Sequence, residues 1–461
     1  MQYDTPIDGM DETEASAGPR ARYSSVLDDI ARRGADEVRE RMQARTDAQG
    51  VCFQGAHGRK PFLVDPVPRL LDAEEWAQLE AGLKQRAEAL EAFVRDAYSE
   101  QRIVAAGALP EHVISSSQLF DPHLRGLPVR HYLYVYGPDV VRDGDGAMLV
   151  LEDNVRTPSG FAYLLAIRAA IAVELGGHLD GVRELDGDLG ALESALRLAS
   201  AGDEESPSTL LLTDGPGSPA YYEHCELANR LGIEAATLED VELAGDDLVH
   251  RDGDGSRRRV DVVYRRTDEA RFSEQDGSRT ALGERLGPVL EAGKLGLVNA
   301  FGTGVADDKL THAYGEELVR FYLGQEPLIR SVRTLDPGDE RQREEVLERI
   351  DELVVKERHR AGGEGVIVEP AEEVGVDAMR RAIEDRDDAL IAQERVSIST
   401  HPTVCGDGFE PRRVDLRPFL VRTEGGWEAL PGGLTRFAAS SASLVVNTTQ
   451  GGGGKDTWVL R

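Results

Sequence analysis

The sequence predicts an α+β fold that contains an additional α/β layer, and three patterns support this prediction. Asp72 is a suitable N-cap for a long amphipathic helix, because apolar residues recur at helical spacing behind it. Residues 208–233 read as strand, glycine-rich turn and helix, which is the unit of an open α/β layer. The chain from about residue 351 onwards is rich in short strands bounded by turn residues.

The composition limits the classes of protein to which the chain can belong. With 461 residues it is long enough for two or three domains. Its formal net charge of −31 argues against nucleic acid or an anionic membrane as a partner, because both attract basic surfaces. The three cysteines lie far apart, which predicts a reducing compartment without a disulfide or zinc framework.

We expect a soluble cytoplasmic protein without a targeting or membrane segment. The N-terminal residues are acidic, unlike a signal or transit peptide. The longest apolar stretch is interrupted by Arg168 and Glu174, so it does not read as a membrane span.

Lysine is rare in this chain. Only six of the 53 basic residues are lysines, and this carboxylate-rich, lysine-poor composition resembles that of salt-adapted cytosolic proteins. We therefore hypothesise a halophilic source. The scarcity also makes each lysine a candidate for a specific role.

The segment LEDNVRTPSG, residues 151–160, ends a buried strand of a predicted β-hairpin with polar side chains. Because side chains alternate along a strand, Glu152 and Asn154 face one side and Asp153 faces the other. Oxygen donors on one face could bind a hard cation, or they could be the solvated end of a strand. Ser159 is expected to cap the helix that follows.

A lysine and a glycine-rich loop mark the end of a predicted strand in the last third of the chain. Lys356 ends this strand, and the loop after it contains Gly362, Gly363 and Gly365. Backbone amides of such a loop can approach phosphate oxygens while the lysine supplies charge. An ordinary glycine hairpin loop accounts for the pattern equally well.

Further candidates end predicted strands or follow glycine-containing loops. Gln393 and Glu394 end a strand that could reach the adenine edge of a nucleotide, although a solvated edge strand also fits. Arg265 ends another strand and could clamp phosphate or carboxylate, or form a surface ion pair. Lys309 follows the loop NAFGTGVADD, and Arg436 lies in the segment GGLTRF.

Taken in chain order, these segments resemble the circularly permuted ATP-grasp family (type 2). The resemblance covers roughly residues 60–461 and rests on LEDNVRTPSG, LLTDGPGSPAYYEH, VDVVYRRTDE, VNAFGTGVADDK, the pair VVK and GGEG, IAQERVSIST, VDLRPF, PGGLTRF and LVVNTTQGGGGKDTW. More distantly the chain is similar to glutathionylspermidine synthetase, which shares an ExN-x-x-TP element. Several motifs in one order are more specific than any single motif.

The resemblance implies a fold in which two α+β subdomains hold ATP, with the elements in a rotated order. It also implies roles for individual residues. Magnesium is implied at Asp139, Glu152 and Asn154; nucleotide contacts at Lys309, Lys356, Gly362, Gly363, Gly365, Gln393 and Glu394; and a phosphate contact at Arg436. The candidate catalytic residues are Arg436, Lys356 and, from the residues alone, Arg265.

One position departs from the pattern of the distant relative. That protein has an arginine two residues before its first metal aspartate, where this chain has Gly137. Either another arginine, Arg130 or Arg265, stabilises the transition state, or the catalytic step differs.

The resemblance implies an ATP- and Mg²⁺-dependent ligase that joins a small-molecule carboxylate to an amine through an acyl phosphate. Alternatives are a phosphotransferase that acts on a small molecule and a non-catalytic nucleotide-binding scaffold. A glycosidase-like pair of Glu152 and Asp139 is disfavoured, because an aromatic content of 6% offers few sugar platforms. The acid, the amine and the oligomeric state are not readable from the sequence.

The sequence predicts three regions. Residues 1–20 are expected to be a disordered acidic segment. Residues 21–335 are expected to hold the metal-binding strands and the α/β layer, and residues 336–461 the nucleotide-clasping subdomain and the C-terminal strands.

Overall fold

The computed structural model describes residues 10–14, 17–55, 58–185, 189–202, 206–253, 255–267, 271–274, 276–358, 366–367, 373–384, 389–446 and 451–461. Helices and short strands alternate through the first part of the chain. These elements are α1 (Ala17–Arg32), α2 (Ala35–Ala48), β1 (Cys52–Gly55), β2 (Gly58–Pro61), β3 (Leu63–Val64), β4 (Arg69–Leu71), α3 (Ala73–Ala97), α4 (Arg102–Ala105), α5 (Glu111–Ser115), β5 (Val135–Tyr136), β6 (Asp139–Arg142), β7 (Met148–Glu152), α6 (Phe161–Leu175) and α7 (Gly190–Ala199).

The middle of the chain is also mixed. It comprises β8 (Thr209–Thr213), α8 (Tyr221–Leu231), β9 (Glu234–Ala236), β10 (Val241–Ala244), β11 (Asp247–Arg251), β12 (Arg257–Arg259), β13 (Val262–Arg266), α9 (Ala281–Glu291), β14 (Gly296–Val298), α10 (Gly304–Asp307), α11 (Lys309–His312), α12 (Gly315–Leu323) and β15 (Arg330–Ser331).

The last part is rich in strands, as the sequence predicts. It comprises β16 (Thr334–Leu335), α13 (Glu340–Glu348), β17 (Leu353–Glu357), β18 (Val366–Ile367), α14 (Glu373–Glu384), β19 (Leu390–Glu394), β20 (Thr400–Cys405), β21 (Gly408–Thr423), β22 (Gly426–Phe437), β23 (Gly453–Lys455) and β24 (Thr457–Val459).

A nine-stranded sheet joins early and late parts of the chain. Its order is β15-β7-β6-β21-β22-β23-β3, and β5 and β20 also pair with β21. The hairpin β6–β7 is antiparallel, as predicted, and Val140 of β6 pairs with Leu416 of β21. Strands from opposite ends of the sequence therefore lie side by side, as a rotated order of elements requires.

The predicted α/β layer is confirmed. Strands β14, β13, β8 and β9 form a four-stranded parallel sheet in that order. Helix α8 connects β8 to β9, so residues 208–233 form the expected strand, turn and helix.

Residues 336–461 contribute strands to more than one sheet. Strands β16, β19, β17 and β18 form a separate antiparallel sheet with its own apolar core. This core consists of Leu335, Val346, Ile350, Leu353, Val355, Ile383 and Ala392. Strands β20–β23 instead join the nine-stranded sheet, because β21 pairs with both β6 and β22.

Two helices of the core show different N-terminal caps. Helix α3 is capped as predicted, because the Asp72 side chain accepts a hydrogen bond of 2.8 Å from the Glu75 amide. The prediction that Ser159 caps α6 is wrong. Glu223 of α8 does this instead, since its Oε2 accepts from the amides of Gly160 at 2.8 Å and Ala162 at 3.0 Å.

Helix α6 is a core helix. Within the described part of the chain, residues 161–178 are the one helical stretch that is long and apolar enough to cross a membrane, and 56% of it is buried inside the protein. It packs against α2, α8, β22 and β23.

Within the acidic N-terminal segment, Glu12 is buried. Its Oε1 lies 2.6 Å from Arg69 Nη2 and 3.0 Å from Arg142 Nε, and it accepts a hydrogen bond from Ser399 Oγ. Burial alone would raise the pKa of Glu12, but the two guanidinium groups outweigh it and lower the pKa to about 2. The buried arginines therefore neutralise the Glu12 carboxylate and hold it in place.

Candidate functional site

The end of β7 places two neighbouring carboxylates in different surroundings. Asp153 is buried, where Arg86 Nε donates to its Oδ1 at 2.7 Å and Arg86 Nη2 donates to its Oδ2 at 2.6 Å. Tyr136 and His312 also contact this carboxylate, at 2.5 and 2.7 Å. Burial would raise the pKa of Asp153, but Arg86 holds it well below its usual range. This anchor fixes the strand end next to Glu152.

Glu152 lies in a narrow pocket between the early hairpin and the late four-stranded sheet. The pocket is lined by Leu151, Glu152, Asp153, Asp307, Lys309, His312, Lys356, Ile391 and Gln393. Glu152 Oε1 lies 2.9 Å from Lys309 Nζ, and Lys356 Nζ donates to Gln393 Oε1 at 2.5 Å. The structure thus brings four of the predicted site residues together.

A buried ion pair positions the two lysines. Arg358 immediately follows β17, and its Nε donates to Asp308 Oδ1 at 2.5 Å. Asp308 also caps α11, because its Oδ1 accepts from the Leu310 amide at 3.0 Å. Both charged side chains are about 1% exposed. The pair therefore links the segment that carries Lys309 to the strand that carries Lys356.

Lys356 is electrostatically coupled to the other charges of the site. Burial and, to a smaller extent, the neighbouring Lys309 lower the pKa of Lys356 to about 8, although Glu152 and Asp139 oppose this shift. A lysine in such surroundings loses its proton far more easily than one in water.

The second predicted carboxylate, Asp139, lies opposite Glu152 in the hairpin and is held by arginines. Arg417 Nε and Nη2 donate to its two oxygens at 2.7 and 2.8 Å, and Arg436 Nη2 lies 2.9 Å from Oδ2. Arg436 also donates to Asp415, with 2.9 Å between Nε and Oδ1. We call Asp139, Asp415, Arg417 and Arg436 the arginine cluster. Burial would raise the pKa of Asp139, but both guanidinium groups outweigh it and lower the pKa.

The donor set fits a hard cation. Asp139, Glu152 and Asn154 offer carboxylate and amide oxygens, which are the ligands that Mg²⁺ prefers. Asn154 Nδ2 is buried and has no hydrogen-bond partner among the described residues. Turning this amide over would place Oδ1, a metal ligand, at the same point.

Besides Asp139 and Asn154, three predicted residues do not line the pocket. Glu394 faces the opposite side of β19 from Gln393 and forms ion pairs with Arg333 at 3.1 Å and Arg349 at 3.3 Å. Arg265 Nε donates to the Asn299 carbonyl at 3.3 Å, and its guanidinium lies 5.0 Å from the centre of the Phe301 ring. Arg436 belongs to the arginine cluster. The predicted loop glycines Gly362, Gly363 and Gly365 lie outside the described residues.

Several site residues are missing from the sequence-based prediction, and some had a signal. Arg417 is two positions from Asp415 on one strand, so the two share a face, and Asp415 pairs directly with Arg436. The alternation rule thus places Arg417 beside Arg436. Arg86 lies seven residues after Leu79, on the apolar face of α3, and an arginine on such a face indicates a buried partner. His312 had no such signal.

The site carries more positive charge than a chain of net charge −31 would suggest. Its cations are Lys309, Lys356, Arg417 and Arg436, and its facing carboxylates are Asp139, Glu152 and Asp415. The other two lining carboxylates, Asp153 and Asp307, are each paired with an arginine. A cationic surface next to hard oxygen ligands suits a polyphosphate bound with a divalent cation.

Comparison with known families gives the identity of the fold. The model of the family "circularly permuted ATP-grasp type 2" matches residues 68–438, which is most of the chain. The chain belongs to this family. The resemblance seen in the sequence motifs is thereby confirmed, as is the permuted ATP-grasp fold.

Relatives cover the chain almost completely. An uncharacterised protein of Mycobacterium leprae (strain TN) is 37% identical over 468 residues, covering 99% of this chain and 83% of that protein. A protein of Frankia casuarinae, provisionally named a glutamate–cysteine ligase, is 39% identical over 469 residues, covering 98% of this chain but 54% of that protein.

A solved structure has a similar fold. A glutathione synthetase-like effector from Globodera pallida, in its apo form, superposes with a TM-score of 0.61 and covers 100% of both chains. The sequence identity is 12%, so this likeness concerns the fold alone.

Proposed function

We propose that the protein is an ATP- and Mg²⁺-dependent ligase that joins a carboxylate to an amine through an acyl phosphate. The observation that carries the proposal is the meeting of Glu152, from the early hairpin, with Lys356, from the late sheet, in one pocket. Membership of the ATP-grasp family supports ATP as the co-substrate.

The proposed reaction has two steps. An oxygen of the substrate carboxylate attacks the γ-phosphorus of ATP, the bond to the β-phosphate oxygen breaks, and ADP leaves. The amine nitrogen of the second substrate then attacks the acyl carbon, loses a proton and expels inorganic phosphate, which leaves an amide. Such a reaction asks the protein mainly for positioning and for neutralisation of charge.

The proposed roles follow from the surroundings of each side chain. Lys309 and Lys356 would contact phosphate oxygens, and Gln393, which donates to Thr334 Oγ1 at 2.9 Å, would keep Lys356 aimed at them. Arg436 and its neighbour Arg417 would stabilise charge on the transferred phosphoryl group. Gly362, Gly363 and Gly365 stay a prediction as the loop that covers the nucleotide.

Asp139, Glu152 and Asn154 would hold the magnesium ion. When bound, this ion would supply positive charge that offsets the negative charge on the departing ADP. The carboxylate of Asp139 would remain ionised for this purpose, because two guanidinium groups hold its pKa below the usual range.

The relatives suggest which substrates to try first. The name of the Frankia casuarinae protein points to glutamate as the acid and cysteine as the amine. Since this chain covers 54% of that protein, the named activity can reside in the rest of it. The screen should therefore begin with this pair and extend to other amino acids and amines.

The test measures both products of ATP. The purified chain is incubated with ATP, Mg²⁺ and a pooled set of acids and amines, and ADP, inorganic phosphate and condensed products are quantified by mass spectrometry. Hydroxylamine in place of the amine should trap the acyl phosphate as a hydroxamate. Lys356→Ala serves as the inactive control.

Equal amounts of ADP, phosphate and amide would support the ligase. A phosphorylated small molecule without free phosphate would instead identify a phosphotransferase. Nucleotide binding without any turnover across the pool would favour a non-catalytic scaffold.

A further inference from the structure

Three ionisable side chains from two different sheets meet at a second place in the molecule. Glu234 belongs to β9 of the parallel sheet, His250 belongs to β11, and Asp252 follows β11 directly. One potential ligand atom of each residue lies within 4.8 Å of those of the other two. The pocket around Glu152 is lined by other residues, so this group is separate from the proposed nucleotide site.

The histidine of this group has an unsatisfied ring nitrogen. His250 is 6% exposed. Its Nδ1 has no hydrogen-bond partner among the described residues, although Asp252 Oδ1 lies at 2.9 Å and Glu234 Oε2 at 3.3 Å. Neither oxygen therefore lies along the line of a ring N–H bond. Buried polar atoms are nearly always satisfied, so this nitrogen indicates a further partner between the carboxylates.

The spacing of the three atoms suits a cation bound between them. Donor atoms held about 2.1 Å from a zinc ion, at angles of about 90–110°, lie about 3.0–3.4 Å from each other. The two distances measured from His250 Nδ1 are close to this range. Imidazole nitrogen and carboxylate oxygen are both ligands of Zn²⁺. One such ion would satisfy Nδ1 and neutralise both carboxylates.

Neighbouring side chains hold the two carboxylates in place. Ser256 Oγ donates to Asp252 Oδ2 at 2.7 Å, and the other oxygen, Oδ1, is the one near His250. Arg258 Nη2 lies 2.6 Å from Glu234 Oε2. A carboxylate oxygen carries two lone pairs, so Oε2 can accept from Arg258 and also bind a cation. The Glu234 side chain is 53% exposed, which gives an ion and a water ligand access from solvent.

We infer that Glu234, His250 and Asp252 bind one Zn²⁺ ion, with water as the fourth ligand. This site lies outside the proposed ligase chemistry and has a structural role. The ion joins β9 of the parallel sheet to β11 of the three-stranded antiparallel sheet. Since the three ligands come together only in the folded chain, Zn²⁺ should stabilise the folded state.

The experiment measures Zn²⁺ binding to the full, metal-free chain by calorimetry. Excess Mg²⁺ is present throughout, because it fills sites that are built from oxygen ligands alone. Co²⁺ is then bound in place of Zn²⁺, and its absorption spectrum separates thiolate ligands from nitrogen and oxygen ligands. This distinction is needed because Cys225 and Cys405 are exposed and could bind Zn²⁺ themselves.

Three variants accompany the wild type. His250→Ala removes the nitrogen ligand, and Asp252→Asn weakens an oxygen ligand at a turn on the surface. His178→Ala is the matched control, because His178 Nε2 also lies near a carboxylate, 3.3 Å from Asp29 Oδ2, but has this hydrogen bond as its partner. Circular dichroism reports whether each variant folds.

We expect one Zn²⁺ per chain in the wild type and in His178→Ala, and an affinity at least about tenfold lower in His250→Ala and Asp252→Asn. Zn²⁺ should raise the melting temperature of the wild type but not that of His250→Ala. The Co²⁺ spectrum should lack the charge-transfer bands of thiolate ligands.

Two results would overturn the inference. Absence of Zn²⁺ binding to the wild type would mean that His250 is instead a protonated partner of the two carboxylates. Equal Zn²⁺ affinity in the wild type and Asp252→Asn, or a thiolate spectrum, would place the ion elsewhere. Asp252→Asn decides the question even if His250→Ala fails to fold, because Asp252 is partly exposed.

Discussion

Arg417 on β21 donates two hydrogen bonds to Asp139 on β6, with distances of 2.7 Å from Nε to Oδ1 and 2.8 Å from Nη2 to Oδ2. Arg436 on β22 reaches the same carboxylate at 2.9 Å. Two late arginines thus converge on one early aspartate, which lies opposite Glu152 in the hairpin. These two arginines place cations beside Asp139, although Gly137 stands where the distant relative has an arginine.

We predict that Arg436→Ala and Arg417→Ala each lower kcat about 100-fold, because each removes a cation from the region of the transferred phosphoryl group. Arg265→Ala should change kcat by less than about tenfold, since Arg265 contacts Asn299 and Phe301 rather than the pocket. Steady-state kinetics of ATP turnover, corrected for the folded fraction, checks both statements. A larger loss of kcat in Arg265→Ala than in Arg436→Ala would indicate that Arg265, rather than Arg436, stabilises the transferred phosphoryl group.

Glu152→Gln and Lys356→Ala should each reduce ATP turnover by at least about 100-fold while leaving the fold intact, because one loses a metal ligand and the other a phosphate contact. Circular dichroism and thermal unfolding report the fold. Lys294→Ala is the control, since Lys294 is a half-exposed lysine that pairs only loosely with Asp246 at 3.4 Å. Wild-type-like turnover in either variant would show that the substituted residue does not have its proposed role.

Nucleotide affinity should depend on pH through Lys356. Its pKa is lowered to about 8 by burial, so its charge is present below that pH and is lost as the pH rises through it. ADP affinity, measured by calorimetry between pH 6.5 and 9.5, should be constant below about pH 7.5 and fall above about pH 8. Lys356→Arg keeps its charge throughout this range and should flatten the profile. A wild-type profile as flat as that of Lys356→Arg would contradict the prediction.

Stability should rise with salt. The net charge of −31 means that the excess carboxylates of the folded chain repel one another. Salt screens this repulsion, because the Debye length falls from about 10 Å at 0.1 M salt to about 3 Å at 1 M. We expect the melting temperature to be several degrees higher in 1 M KCl than in 0.1 M KCl. Sucrose at equal osmolality is the control for solvent exclusion, and an equal gain in sucrose would argue against screening.

Local patterns predicted only some of the features that depend on one strand or one helix. The N-cap at Asp72 was found from residue type and spacing, whereas strand alternation does not separate Glu152 from Asp153, because both line the pocket. The other failures involve partners distant in sequence. Glu223 caps α6 from another helix, so Ser159 is not needed there.

The partners of buried charged residues are also distant in sequence and so could not be predicted. Glu12 is fixed by Arg69 and Arg142, and no local pattern shows that these three residues meet. The meeting of Glu152 and Lys356 could be expected only through the resemblance to a known family, because it depends on the order in which distant strands pair.

The pair Arg86–Asp153 should be a sensitive point of the scaffold, because both side chains are buried. Arg86→Ala leaves a buried carboxylate without its main partner, and we expect a loss of about 3–5 kcal/mol in the free energy of unfolding at pH 7. Arg333→Ala is the matched control. Arg333 is half exposed, so its loss should cost less than about 1 kcal/mol.

The effect of Arg86→Ala should shrink as the pH falls. In the wild type the pKa of Asp153 is held below its usual value of 3.8, so the stabilisation is present above that pH and is lost as the pH falls below it. In Arg86→Ala burial is no longer opposed, so Asp153 takes up a proton at a higher pH and the unpaired charge disappears. Urea unfolding at pH 7 and near pH 4.5 should therefore show a smaller difference between wild type and variant at the lower pH. A difference that stays the same would mean that the lost packing of Arg86, rather than its charge, stabilises the end of β7.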